Sequence, residues 1–318
     1  MNNFMDFLLP PAASTYADGV DALFHFINIT SFILLLGITV AIIYFAVKYR
    51  RKSQEDTTPL ITHNTKLEIT WTVIPLFLIL IVFGWGFKDY VTMRTAPPDA
   101  MEINVEAFSF GWIFTTTIDG QQVDMGSDLY VPVDTPVRLI MTSREGDVLH
   151  SFFVPAFRLK QDLIPNRYTY AWFQATREGT YTYFCTEYCG SGHSAMIGDV
   201  HVMSQADFDE KMEELAVDLD DLPLLAVGER VYNTHCRACH SLDGSRLVGP
   251  TFEGLYMRER EFTDGSTRIA DEEYLIESIL NPRDLVNVGY PNNMPNIYDT
   301  ILSERELEGI VEFIKELQ

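Results

Sequence analysis

Cysteine is scarce in this 318-residue chain: there are four. They form two close pairs, Cys185/Cys189 and Cys236/Cys239. With each pair inside a short motif, none is left for structural disulfides or for an N-terminal lipid anchor. Positive charge is scarce too. Lys and Arg number 23 against 45 Asp and Glu, for a net charge of -22. So acidic a chain has little with which to release counterions from phosphates, which argues against nucleic acid as a partner. An acidic exterior instead attracts a basic partner. Residues 1–23 lack a basic segment followed by an apolar core, so no cleavable signal peptide is expected.

Long apolar runs are present, and there are two. Residues 24–47 carry no Asp, Glu, Lys or Arg, and no face of the run is polar. That length crosses a hydrocarbon layer of about 30 Å as a helix. A second run spans residues 70–87, stopping before Lys88-Asp89, and the two helices are expected over about 24–47 and 70–90. Between them lies Lys48-Tyr49-Arg50-Arg51-Lys52. This basic cluster sets the connecting loop on the cytoplasmic side, so everything after residue 90 is expected on the outer side. Pro75 is tolerable where a neighbouring helix covers the freed carbonyl. His25 and Asn28, near the outer end, read as interfacial or as contacts to another membrane subunit.

From Glu102 the texture changes to short alternating runs broken by turn residues. Segments 137–142, 149–154, 167–173, 179–184 and 198–203 read as strands of a compact all-β domain. One loop of this domain carries unusual chemistry: Cys185-Thr-Glu-Tyr-Cys189-Gly-Ser-Gly-His193-Ser-Ala-Met196. Soft and borderline donors of this kind suit copper better than magnesium or calcium. His150, at a strand end upstream, can bring a second imidazole to the same place. Two thiols, two imidazoles, a thioether and a backbone carbonyl exceed the needs of one tetrahedral ion and match two copper ions bridged by sulfur. A structural zinc site or a disulfide is the bland alternative, but zinc has no use for Met196 and a disulfide none for the histidines.

Residues 205–223 read as a boundary, with a helix that Ser204 caps followed by the acidic, proline-ended stretch 218–223. Beyond it stands Cys236-Arg-Ala-Cys239-His240, a c-type heme attachment motif. A thioredoxin-like Cys-x-x-Cys is the competing reading, but no β-α-β pattern surrounds it. A helix is expected over 228–235. Gly249-Pro250 follows the motif, and Asn293-Met294-Pro295 offers a sixth iron ligand. Met257 competes for that role but lies among Arg258, Glu259 and Arg260. His/Met ligation raises a heme potential, as suits electron donation to copper. Ser303-Glu-Arg-Glu306 is a capping box, and Leu307, Ile310, Val311 and Ile314 line one helical face.

Over residues 24–204 the sequence resembles subunit II of the heme-copper cytochrome c oxidases. Residues 224–318 are similar to the class I cytochrome c domain fused to that subunit in some bacteria. The resemblance implies a two-helix transmembrane hairpin (1–97), a cupredoxin-like Greek-key barrel (98–204), a linker (205–223) and an all-α cytochrome c domain (224–318). It makes Cys185 and Cys189 the bridging thiolates of a dinuclear CuA centre and His150 and His193 its terminal ligands. Met196 and the carbonyl of Glu187 become the weak axial ligands. The Glu187 carboxylate matches one that binds magnesium shared with subunit I. Cys236 and Cys239 become the attachment points of a single heme c, with His240 and Met294 as axial ligands. Glu68 matches a glutamate near a proton-channel entrance, while a plain role at the helix dipole is equally open. A tryptophan that admits electrons in many members falls at Phe110 here, with Trp112 two residues on; core packing is the alternative for both. Asn166 replaces a glycine, and asparagine also tolerates a left-handed backbone.

The implied role is electron transfer from heme c to CuA and on to the oxygen-reducing subunit I, coupled to proton pumping, in a bacterial inner membrane. The seven histidines, several already assigned, leave too few for an oxygen-reducing centre on this chain. Implied partners are subunit I, other oxidase subunits, membrane lipid, and a donor such as a cytochrome c or a quinol-oxidising complex. A CuA-containing nitric oxide reductase is the alternative. A copper-delivery protein is disfavoured by the heme motif, and a quinol oxidase by the complete copper ligand set.

Overall fold

The computed structural model describes residues 9–57 and 60–318. The signal-peptide expectation bears in part on residues 1–8, which lie outside the described residues. Two compact units form. One is Tyr16–Thr95, and the other joins the residues up to Thr15 with Ala96–Gln318.

The first unit is a helical pair, α1 (Ala17–Lys48) and α2 (Thr65–Arg94). Both are long and apolar enough to span a membrane. At about 1.5 Å per residue, 32 residues reach about 48 Å, well beyond the hydrocarbon layer. The helices therefore run past the expected limits at both ends. Hydropathy marks where a helix is apolar, and polar residues such as Asp18 or Arg94 extend it into water without ending it. Asn64 caps α2 by accepting from the Leu67 N–H, and Glu68 accepts from the Asn64 N–H at 3.2 Å.

The second unit opens with a two-layer β-sandwich. One sheet has the order β3 (Gln121–Gly126), β2 (Gly111–Ile118), β1 (Met101–Phe108), β5 (Pro136–Ser143), β8 (Thr169–Gln174). The other runs β4 (Leu129–Pro132), β10 (Ile197–Met203), β9 (Gly179–Cys185), β6 (His150–Val154), β7 (Leu159–Leu163). Alternation is clean in β5, where every second residue is buried. Val137, Leu139 and Met141 are fully buried, as are Phe114, Phe152 and Tyr183, whose rings pack together, each such apolar side chain contributing about 2 kcal/mol. Each sheet contains one parallel pair, β1–β5 in the first and β4–β10 in the second, in a cupredoxin-like arrangement. Ahead of α1, the Ala13 N–H bonds the Ala156 carbonyl and Ser14 Oγ donates to the Phe157 carbonyl. Asn166 is left-handed (φ 58°).

After α3 (Gln205–Leu215), capped by Ser204, comes the helical region: α4 (Leu224–Val231), α5 (Glu272–Leu280), α6 (Tyr298–Ile301) and α7 (Glu304–Glu316). A small β11–β12 hairpin (Glu259–Glu261, Thr267–Ile269) inserts between. The helix expected over 228–235 starts earlier and changes at Tyr232 into a wider π turn, Tyr232–Cys236, which leads into the Cys236 motif. Ser303 and Glu306 form the full capping box of α7, whose Ile310, Val311 and Ile314 are buried.

Candidate redox sites

The first site sits at one tip of the sandwich. Cys185 ends β9 and Ile197 begins β10, so residues 186–196 form the loop between paired antiparallel strands. His150 begins β6, whose Phe152 pairs with Cys185. Sheet register thus brings His150 to the loop. Nitrogen and sulfur atoms of His150, Cys185 and Cys189 lie within 4.8 Å of one another. His150 Nδ1 is 3.8 Å from Cys185 Sγ, and His193 Nδ1 is 3.5 Å from Cys189 Sγ. Met196 Sδ stands 3.8 Å from Cys189 Sγ, and the Glu187 carbonyl oxygen 3.3 Å from Cys185 Sγ. All six expected donors converge. This soft, buried set fits copper.

The thiols are coupled. The Cys189 contact, backed by His150, holds Cys185 far below the usual thiol range, while the same contact pushes Cys189 up. Cys185 and Cys189 would both be deprotonated in holding a metal. Burial alone lowers the His150 pKa, but Asp147 and Cys185 outweigh it and the net shift is upward. Asp147 is the residue sequence reasoning missed. Its carboxylate lies 3.8 Å from His150 Nε2, and Ser109 Oγ and the Val148 N–H donate to it at 2.6 and 2.7 Å. Burial disfavours the charged carboxylate, yet these partners hold it well below the usual range. At 3.8 Å the carboxylate faces the ring as a negative charge, beyond hydrogen-bond distance. The signal was local, since Asp147 stands three residues before His150.

Phe110 and Trp112 part company. Phe110 lies over the loop, so close that a Cβ on Gly192 would come within 2.4 Å of its ring. Trp112 is buried in the core, its ring 6.3 Å from His150 and 5.6 Å from Tyr183, centroid to centroid. The Glu187 carboxylate is 3.5 Å from Lys160 Nζ. His201 stacks on Tyr130 at 4.9 Å, a structural contact.

The second site is a cleft of about 1160 Å³, counting the part open to solvent. Cys236, Cys239, His240 and Met294 line it, amid Phe252, Leu255, Leu275 and Ile310. His240 Nδ1 is 2.7 Å from the Pro250 carbonyl, which can only accept, so Nδ1 carries the proton and Nε2 is left free. Phe252 stacks on the ring at 4.6 Å, and a Cβ on Gly249 would come within 2.6 Å of it. Burial pushes the Cys236 thiol up to about 12 and Cys239 to about 11. Met257 is 58% exposed, with a left-handed backbone, and does not line the cleft. An apolar cleft carrying two thiols, one oriented imidazole and a thioether fits a covalently held heme.

Residues 82–203 match the family described as cytochrome c oxidase subunit II, periplasmic domain, and residues 2–88 its transmembrane domain. Subunit 2 of cytochrome c oxidase from Alkalihalophilus pseudofirmus is 31% identical, over 89% of this chain and 83% of that protein. The chain belongs to the cytochrome c oxidase subunit II family. Residues 223–314 match the family described as cytochrome c oxidase, cbb3-type, subunit III, so this subunit II carries a cytochrome c domain. The Synechocystis subunit 2 is 26% identical over 64% of the chain and 74% of its own length. The periplasmic domain of subunit II from Bradyrhizobium japonicum is similar at 25% identity and a TM-score of 0.35, covering 38% of this chain and 96% of that one. Family membership implies CuA copper for the first site and heme c for the second, in a subunit that transfers electrons within a heme-copper oxidase.

Proposed function

We propose that this subunit II holds a dinuclear copper centre on Cys185, Cys189, His150, His193, Met196 and the Glu187 carbonyl, and one heme c on Cys236, Cys239, His240 and Met294. When bound, the two groups supply reversible one-electron chemistry, carrying electrons from heme to copper and on to the oxygen-reducing subunit I of a proton-pumping oxidase. The observation that carries it is the cluster of His150, Cys185 and Cys189 at the sandwich tip, with His193 and Met196 against Cys189 and the Glu187 carbonyl against Cys185. The chain's residues supply rigidity. Paired strands hold His150 and Cys185, the Asp147 charge faces the imidazole, and the Pro250 carbonyl fixes the His240 tautomer. Such fixed geometry suits outer-sphere transfer, in which little should move.

The basic loop Lys48–Lys52 and two spanning helices support a multi-pass anchor in the bacterial inner membrane, with both redox domains outside. Glu187 could join magnesium only with donors from subunit I, because one carboxylate beside Lys160 is not a complete site. Glu68 has a capping role in hand, and proton-channel duty rests on its exposure to a partner. Phe110, over the copper loop, and Trp112, against His150, are the candidate rings through which electrons enter. The external donor is a cytochrome c or a quinol-oxidising complex, drawn to an acidic surface.

The test is flash reduction of the heme in the purified, fully loaded chain. The reading expects reduced heme to reoxidise at the rate the copper absorption bleaches, independent of protein concentration. Heme that stays reduced beside oxidised copper contradicts it.

A further inference from the structure

The copper-bearing sandwich and the heme-binding region meet within one compact unit, and their contacts are concentrated on the residues that flank the two redox sites. Three consecutive residues of the sandwich, at the β3–β4 turn, face the Cys236 motif. Asp128 accepts two hydrogen bonds from the Arg237 guanidinium, at 2.9 and 2.5 Å. Arg237 lies between the two heme-attaching cysteines and does not line the cleft. Ser127 Oγ donates to the Asn233 carbonyl at 2.7 Å, and a Cβ on Gly126 would come within 2.9 Å of Thr234. The turn is itself braced: the Asp199 N–H donates to Asp128, and the buried Tyr183 hydroxyl donates to the Ser127 carbonyl at 2.5 Å.

A second segment of the region makes its own contact. Asn293 Nδ2 donates to Ser191 Oγ at 2.6 Å. Asn293 precedes Met294, and Ser191 stands midway between Cys189 and His193. A path from Met294 to His193 is therefore covalent except for that one hydrogen bond. The His235 and Phe108 rings lie 5.9 Å apart, with the Arg144 guanidinium over Phe108. The connecting segment is pinned at both ends. Gln121 donates to the Ala216 carbonyl, and Arg305 of α7 donates to the carbonyls of Leu219 and Leu222.

We propose that Asp128 with Arg237, and Ser191 with Asn293, are positioning pairs that hold the heme-binding domain docked on the copper loop, the second pair also being the electronic bridge. The proposal rests on the heme-to-copper reading above. One electron crosses, oxidising the heme iron by one unit and reducing the copper pair by one, with no bond made or broken and no proton moved. Two contacts made by separate segments of the heme-binding region, together with a ring contact, oppose rotation about any one of them. The Asp128–Arg237 pair is bidentate and only 20% and 29% exposed, so salt screens it weakly.

The test uses the full chain in detergent with copper and heme loaded, read by amide hydrogen exchange and by flash-induced heme-to-copper transfer. Wild type should protect residues 126–128 and 232–237, and transfer at a rate insensitive to moderate salt. Asp128→Arg should lower that protection by about tenfold or more, the scale of losing a charged hydrogen-bonded pair. Adding Arg237→Asp should restore it, which mere damage to the fold would not allow. Asn293→Ala and Ser191→Ala should each slow transfer severalfold with both absorption spectra unchanged, and lower the protection of residues 126–128 and 232–237 less than Asp128→Arg does. Wild-type protection in Asp128→Arg, or no rescue by the reciprocal exchange, overturns the clamp; wild-type transfer in Asn293→Ala and Ser191→Ala overturns the bridge. A protected wild-type chain that transfers no electron contradicts the heme-to-copper reading and leaves the docking intact. Transfer without protection contradicts the docking.

Discussion

His240 has one nitrogen committed before any iron arrives: Nδ1 donates to Pro250, and Nε2 faces the cleft that Met294 also lines. Met294→Ala should therefore leave the thioethers to Cys236 and Cys239 intact but open the sixth position. The heme should turn high-spin or bind added cyanide or imidazole, and an unchanged absorption spectrum would move the axial role elsewhere. His235 makes a different prediction. Burial lowers its pKa to about 4, from an ordinary value near 6.5, and its Nδ1 has no hydrogen-bond partner among the described residues. Between those values the unfolded chain binds more protons than the folded one. The stability of the helical region is thus greatest above about pH 6.5 and falls toward pH 4, by up to roughly 3 kcal/mol. His235→Phe, which keeps a ring between Phe108 and Tyr298, should flatten that slope in thermal unfolding. Equal slopes in variant and wild type would contradict the assignment.

Helix α4 and helix α7 cross at two glycines. A Cβ added to Gly228 would fall 2.0 Å from the Gly309 carbonyl oxygen, so the backbones touch where no side chain fits. Gly228→Ala should force the helices apart and cost about 3 kcal/mol, read as a lower denaturant midpoint for the helical region. It should also loosen the adjoining cleft wall, where Val231, Ile310 and Ile314 sit; an unchanged midpoint would contradict the crossing. Elements of this kind were legible unevenly. The five expected segments lie within two residues of β5, β6, β8, β9 and β10 because alternation is a local signal, whereas β3 and β7 were not expected as strands. The capping box of α7 was legible for the same reason. The π turn at Tyr232–Cys236 was not, since it answers to the packing of the motif against α7 and the cleft. Helix ends in the membrane pair escaped because polar flanks prolong a helix as readily as apolar ones.

On the scale of the whole molecule, the donor types were legible because Cys185–Met196 and Cys236–His240 are compact motifs. What brings His150 to the copper loop is the β6–β9 pairing, which no spacing encodes. Asp128–Arg237 and Ser191–Asn293 are separated by more than one hundred residues, and charge or hydroxyl patterns do not say which distant partner they meet. The central claim is that six donors share two copper ions. Electron paramagnetic resonance of the intact, copper-loaded chain tests it most directly. The account predicts hyperfine structure from one unpaired electron spread over two copper nuclei. It also predicts loss of that signal in Cys185→Ser while the heme stays attached. A spectrum from a single copper nucleus in the wild-type chain, or an unaltered one in Cys185→Ser, would contradict it.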